Sequence, residues 1–309
     1  MKKTILTLAI AAALTVFEGN LSAETLFVAH SDTDAVGEFN AATGAPINNP
    51  FISGLSSPFG IALSGNHLFV GNYSGNSIGV YDASTGLAIN SSFIFGLSSP
   101  TGIAVSGNDL FVANSGSNTV GKYNATTGVA VTNSFISGLS GPRGIALSGN
   151  SIFVGSFTGN SIGKYDATTG TPISDLFISG LNVPCGIATY GNELFVSNEG
   201  LGTIGAYDAT TGAPINTSFI TGLGIPRGIA LSGNRLFVAN GSGNSIGEYD
   251  ATTGAAINVA LITGLNSPYG IAVTAVPEID PATGSSALSL VAGVLAMIEQ
   301  RRRRAAIVA

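Results

Sequence analysis

The chain of 309 residues has one cysteine, no tryptophan, two histidines and little charge, with Asp, Glu, Lys and Arg together making 9%. A single thiol, Cys185, excludes an internal disulfide framework, so stability has to come from packing. Basic residues are scarcer still. Between residues 24 and 276 there are 5 basic and 13 acidic side chains, and all the other Lys and Arg residues sit at the two ends. With a formal charge of −6 and a pI near 4.8, the chain lacks the basic footprint that nucleic acid requires. The apolar run near the start, ILTLAIAAALTVF, has 13 residues. That is short of the roughly 20 needed to cross a bilayer as a helix.

Glycine and the hydrophobic residues are abundant, and they fall on a strict period. PFGIALSGNHLFVGN begins at Pro58, and close copies begin at Pro100, Pro142, Pro184 and Pro226. A half-copy, PYGIAVTAV, starts at Pro268, and the complementary half, TLFVAH, starts at Thr25. Phe27, Phe69, Phe111, Phe153, Phe195 and Phe237 are each 42 residues apart. A fixed period of this length means a repeat architecture.

Each repeat reads as four short strands, here lettered A to D. In the second unit these are 60–64, 67–72, 77–82 and 88–94. SGN makes a tight hairpin turn between A and B, and DASTG turns C into D. GIAL and LFVA are continuously apolar, so both faces of those strands are buried. Four-stranded units packed face to face around an axis satisfy that requirement, and the small residues of strand A suit the narrow centre. The expectation is an all-β, six-bladed β-propeller of four-stranded antiparallel blades. The first unit has B, C and D but no A, while the end supplies a lone strand A at 270–273. Pairing of these N- and C-terminal strands would close the ring. A parallel solenoid gives no reason for complementary halves at the two ends.

The pattern P-x-GIA-[LV]-S-G-N-x-LFV-A-N…N-x-IG-x-YD resembles the NHL repeat over about 250 residues. The resemblance implies a six-bladed scaffold used both by binding platforms and by lyases and hydrolases. Residues 1–23 read as a secretory signal peptide, 24–276 as the propeller and 277–309 as a sorting and anchor segment. In that last segment Pro277 and Glu278 precede an apolar stretch and then Arg301, Arg302, Arg303 and Arg304. It resembles the PEP-CTERM sorting signal of exopolysaccharide-producing Gram-negative bacteria, with VPEIDP where VPEP is commoner. That resemblance implies an exosortase-type membrane protease as partner. It also implies an exported protein in the cell envelope or extracellular matrix, transiently anchored by a C-terminal helix with the arginines on the cytoplasmic side.

The D–A and B–C connections open on one face of such a ring. The residue between Pro and GIA varies most: Phe59, Thr101, Arg143, Cys185, Arg227 and Tyr269. The B–C loops also differ and contribute His30, Tyr73, Phe157 and Glu199. Together these form a candidate ligand-binding rim for a polysaccharide or another surface protein, with arginines for anionic or polyhydroxyl groups and aromatic rings for stacking. The alternative is a lyase or hydrolase using the rim around Arg143, Cys185 and Arg227. His30 beside Glu199 is the best acid–base pair for it, and Cys185 between two arginines is the candidate thiol. Lactonase-type propellers hold a divalent cation with Glu, Asn and Asp inside the channel, and strand A offers none of these. Asp32 and Asp34 are a fragment of a calcium loop without its glycine and closing glutamate, so they read as turn residues. No metal or cofactor is expected, and a non-catalytic binding module is the leading reading.

Overall fold

The computed structural model describes residues 24–274, and these form 24 strands in six four-stranded antiparallel sheets. Five sheets follow chain order from A to D. The sixth joins the two ends: Pro268–Val273 pairs with Thr25–His30, which pairs with Ala35–Asn40 and then Pro46–Ile52. The closing register runs Leu26 with Val273, Phe27 with Ala272 and Val28 with Ile271. Beyond the strands, Thr274 N–H donates to the Thr25 carbonyl at 3.0 Å and Ser31 N–H to the Ser267 carbonyl at 3.4 Å. Arg235 of the last full blade adds a clamp from the side. Its Nη1 lies 2.6 Å from Glu24 Oε2, and its Nη2 donates to the Ala41 carbonyl.

Strand A begins two residues earlier than the pattern predicts, at the proline itself, as in Pro58–Ser64. Proline is admissible there because the ladder is irregular between Pro58 and Ile61, so no donor is required of it. The glycine that follows sets the diameter of the ring. A Cβ on Gly60 would overlap the Thr101 carbonyl oxygen of the next blade. The same overlap recurs around the circle, and a Cβ on Gly270 would meet the Phe59 carbonyl oxygen, which returns to the starting blade. Six backbones therefore approach one another where only hydrogen fits.

The core lies between blades. The six strand-B phenylalanines, Phe27 to Phe237, are all at most 1% exposed. In five of the blades a strand-D phenylalanine leans on this ring, with centroids 5.2–5.8 Å apart. The I-G-x-Y motif of strand C also has a packing cause. The Tyr81 ring folds back over Gly79 so closely that a Cβ there would collide with it. Strand D is different: Ile47, Ile89, Val131, Ile173, Ile215 and Ile257 all stand about half exposed or more on the perimeter. Only the last residues of that strand, such as Ile52 and Ile94, reach the core. The expected terminal helices lie outside the described residues.

Candidate binding site at the axial mouth

The D–A and B–C connections do share one face. Their geometry rests on an asparagine that a sequence reading takes for part of a variable loop. Asn76, Asn118, Asn160 and Asn244 have left-handed backbone, and each side-chain oxygen accepts the backbone N–H of a residue in the D–A turn toward the next blade. Asp34 does the same for Ser57 at 2.6 Å. In the fifth blade Gly202 takes this place, and that bond is missing.

On this scaffold the variable residue of strand A lies beside the residue 14 positions later, at the start of the B–C loop. Phe59 stacks on Tyr73 with centroids 4.4 Å apart and planes 18° apart. Arg143 lies over Phe157 at 3.3 Å, and Arg227 lies against the bare backbone of Gly241. Contacts also cross between blades. Phe59 stacks on Tyr269 at 3.9 Å, Arg227 covers the other side of the mouth at 4.9 Å from the Tyr269 ring, and Arg143 Nη1 pairs with Glu199 Oε2 at 3.2 Å. Cys185 Sγ is 3.9 Å from Arg143 Nη1 and 3.4 Å from the Tyr269 hydroxyl. The sequence separations hide these meetings, although both members of each pair are departures from the repeat.

Not every predicted rim residue is on a rim. Phe59, Tyr73, Arg143, Phe157, Glu199 and Arg227 are half-buried at the mouth. Thr101, Cys185 and Tyr269 are buried and form its floor. The Thr101 hydroxyl is satisfied inward by the Pro142 carbonyl at 2.8 Å. Below them the axis holds a cavity of about 90 Å³, lined by these side chains with glycines and isoleucines. Pockets that enclose small molecules run to about 300 Å³ or more. A ligand would therefore sit on the face and not in the channel.

The chemistry at Cys185 departs from the sequence expectation. Burial pushes its thiol pKa up, and the nearby Arg143 offsets this only in part. The thiol is held in its protonated form, the opposite of an activated nucleophile. Burial likewise holds the Tyr269 phenol neutral, well above its ordinary range. His30 and Glu199 are not an acid–base pair. Glu199 is taken by Arg143, while His30 is 3% exposed with its ring 6.3 Å from Phe39 and both nitrogens unpartnered. Among the described residues no three His, Cys, Asp or Glu side chains gather as a metal site would require.

Three residues at the mouth escape the sequence reading. Ser267 Oγ accepts from Arg227 Nη1 at 2.8 Å. Val183 and Ile225, before the strand-A proline, have φ of 56° and 54°. The signal was available, since that position holds Ser57, Ser99, Gly141 and Ser267 in the other blades.

A family model described as the NHL repeat matches residues 97–123, which cover strands A to C of the third blade. A second, the VPEID-CTERM protein sorting domain, matches residues 276–306. The chain is an NHL-repeat-like six-bladed propeller with a C-terminal sorting signal. No curated protein matches it. Among solved structures, a chain in the crystal structure of a nidogen/laminin complex superposes with a TM-score of 0.70 at 18% identity, over 81% of this chain and 98% of that one. The computationally designed Ika8 protein superposes with a TM-score of 0.50 at 18% identity, over 79% and 73%. At such identities the likeness concerns the fold alone. Pro277, Glu278 and Arg301 to Arg304 lie within the sorting-domain match and outside the described residues. The signal peptide expected at 1–23 also lies outside them. No helix among the described residues is long and apolar enough to cross a membrane.

Proposed function

We propose that the protein is an exported binding module, carried to the cell envelope or extracellular matrix by its sorting domain and contacting a surface polysaccharide or protein through the axial mouth. In this reading residues 1–23 are a cleaved signal peptide, 24–276 the propeller, and 277–309 a transient membrane anchor processed by an exosortase-type protease. The observation that carries it is the location of the repeat's departures. Near-identical units diverge in two loops per blade, and the divergent side chains converge on one face. Among the described residues Arg227 is the arginine of this face that has no ion pair. What weighs against the lyase or hydrolase alternative is Cys185, buried and protonated where that chemistry needs a thiolate.

The test is binding of the whole chain to arrays of oligosaccharides and of peptides. Arg227→Ala, which leaves no charged partner stranded, should weaken the bound class roughly tenfold. Equal binding by the variant would sink the mouth as the contact surface.

A further inference from the structure

The mouth departs most from the repeat in the sector of the fifth and sixth blades. Left-handed backbone before the strand-A proline suits Ser57, Ser99, Gly141 and Ser267 better than it suits Val183 and Ile225. A β-branched side chain at positive φ crowds the adjoining carbonyl and is a genuine outlier. Two such residues in successive blades are a cost that folding alone does not require, and strain of this kind gathers at functional surfaces.

The same sector exposes aliphatic surface. Leu201 is 59% exposed and Ile225 is 38% exposed. Every other large exposed apolar side chain among the described residues lies on an outermost strand or in the turn entering one. The loop 199–202 joins these residues. Glu199 N–H donates to the Val183 carbonyl at 3.0 Å, and Leu223 N–H donates to the Gly202 carbonyl at 3.0 Å. Val183, Leu201 and Ile225 thus occupy two adjacent turns and the loop between them. Arg227 borders this patch, two residues after Ile225. Among the described residues no carboxylate comes within ion-pair distance of it, whereas Arg143 has Glu199.

Each aromatic ring at the mouth already has at least one partner. Tyr73, Phe59 and Tyr269 are stacked on one another, and guanidinium groups cover Phe157 and Tyr269. The exposed surface beside Arg227 is aliphatic, Leu201 and Ile225, with no aromatic ring on which a sugar would stack. An aliphatic patch beside an unpaired guanidinium instead complements a polypeptide bearing an apolar anchor and a carboxylate.

We propose that the ligand is a protein segment whose aliphatic side chain seats among Val183, Leu201 and Ile225 while a neighbouring Asp or Glu pairs with Arg227. This rests on the reading of the mouth as the binding face and narrows its partner to a polypeptide. The probe is a display library of random peptides panned against the whole chain, with neutral and acidic oligosaccharides tested in parallel. Enriched peptides should share an aliphatic residue next to Asp or Glu. The best of them, made synthetically, should bind roughly tenfold more weakly to Leu201→Ser, to Ile225→Ser and to Arg227→Gln. Ile225→Ser should at the same time raise Tm by about 2 °C, because serine occupies this position in three other blades. A purely structural role for Ile225 would lower Tm instead. Peptides that bind the two serine variants as well as wild type overturn the proposal. Oligosaccharide binding that is lost with Arg227→Gln, without peptide enrichment, overturns it and leaves the mouth as the binding face. If neither class binds, both readings fall.

Discussion

The two faces of the ring are built from the same repeat and behave oppositely. On the face of the A–B and C–D turns, the four aspartate-bearing blades make the same bonds. Asn66, Asn150, Asn192 and Asn234 each donate to the second oxygen of Asp82, Asp166, Asp208 and Asp250. The other oxygen takes the backbone N–H groups two and three residues on. Hydroxyls of the next Ser and Thr residues also donate to this oxygen, as Ser84 and Thr85 do to Asp82 and Thr252 and Thr253 to Asp250. With the backbone N–H groups they hold the aspartate pKa values below their ordinary range, to about 2 for Asp250. On the mouth face each blade carries a different pair, and two blades accept left-handed β-branched residues. The lesson is that the turn face serves folding, with one solution copied, while the mouth face is held by asparagine-to-backbone bonds that leave its other side chains free to differ.

That contrast predicts unequal costs for one chemical change. A Cβ on Gly186 at the axis would collide with the Arg227 carbonyl oxygen, and the nearest atoms are all backbone of the next blade's strand A, which cannot rotate away as a side chain could. A Cβ on Gly191, in the A–B turn, meets nothing within 4 Å, and only its φ of 57° resists. Gly186→Ala should therefore cost about 3 kcal/mol, the upper range for overpacking. Gly191→Ala should cost about 1 kcal/mol, the strain of a left-handed alanine. Chemical denaturation of the two variants measures the difference, and equal losses would mean that the axis is looser than its geometry.

The mouth face is sharpened by the asparagines that hold it. Asn160 Oδ1 accepts the Val183 N–H at 2.8 Å and so supports the strained backbone of that residue. Asn160→Ala should cost about 1 kcal/mol by removing the bond and placing alanine at positive φ. Asn160→Asp, which keeps the acceptor, should cost clearly less, as the natural use of Asp34 at the equivalent site indicates. If aspartate is as damaging as alanine, the hydrogen bond is not what orders the turn.

The period, the strand boundaries of B and C, and the closing pair of half-units were all legible in the chain, because each depends on local pattern repeated six times. Strand A was misread by two residues, since a proline looks like a boundary when the ladder beside it is irregular. The mouth residues were legible as departures from the repeat, but their depth was not. Whether Thr101 or Tyr269 faces solvent depends on how near the axis it lies, a property of the assembled ring. The left-handed Val183 and Ile225 were concealed for a similar reason, since backbone torsion shows only when six copies are compared at one position.

His30 gives the smallest effect and the finest test of the contrast. It ends strand B of the closing blade, where Asn72, Asn114, Asn198 and Asn240 stand in four other blades. Its ring is buried without a hydrogen-bond partner, and burial lowers its pKa from the ordinary 6.5. Above that value folded and unfolded chains both hold the imidazole neutral, so pH has no leverage there. As pH falls below 6.5 the unfolded chain takes up a proton that the folded chain resists, and stability declines until the lowered folded pKa is reached. The loss should appear as a fall in Tm between pH 7 and 5. The turn aspartates do not contribute in this window, because their lowered pKa values place their titration in more acidic solution. His30→Asn, which restores the residue used in four other blades, should flatten the pH dependence of Tm. A slope that persists in His30→Asn would show that the buried imidazole is not the source of the acid sensitivity.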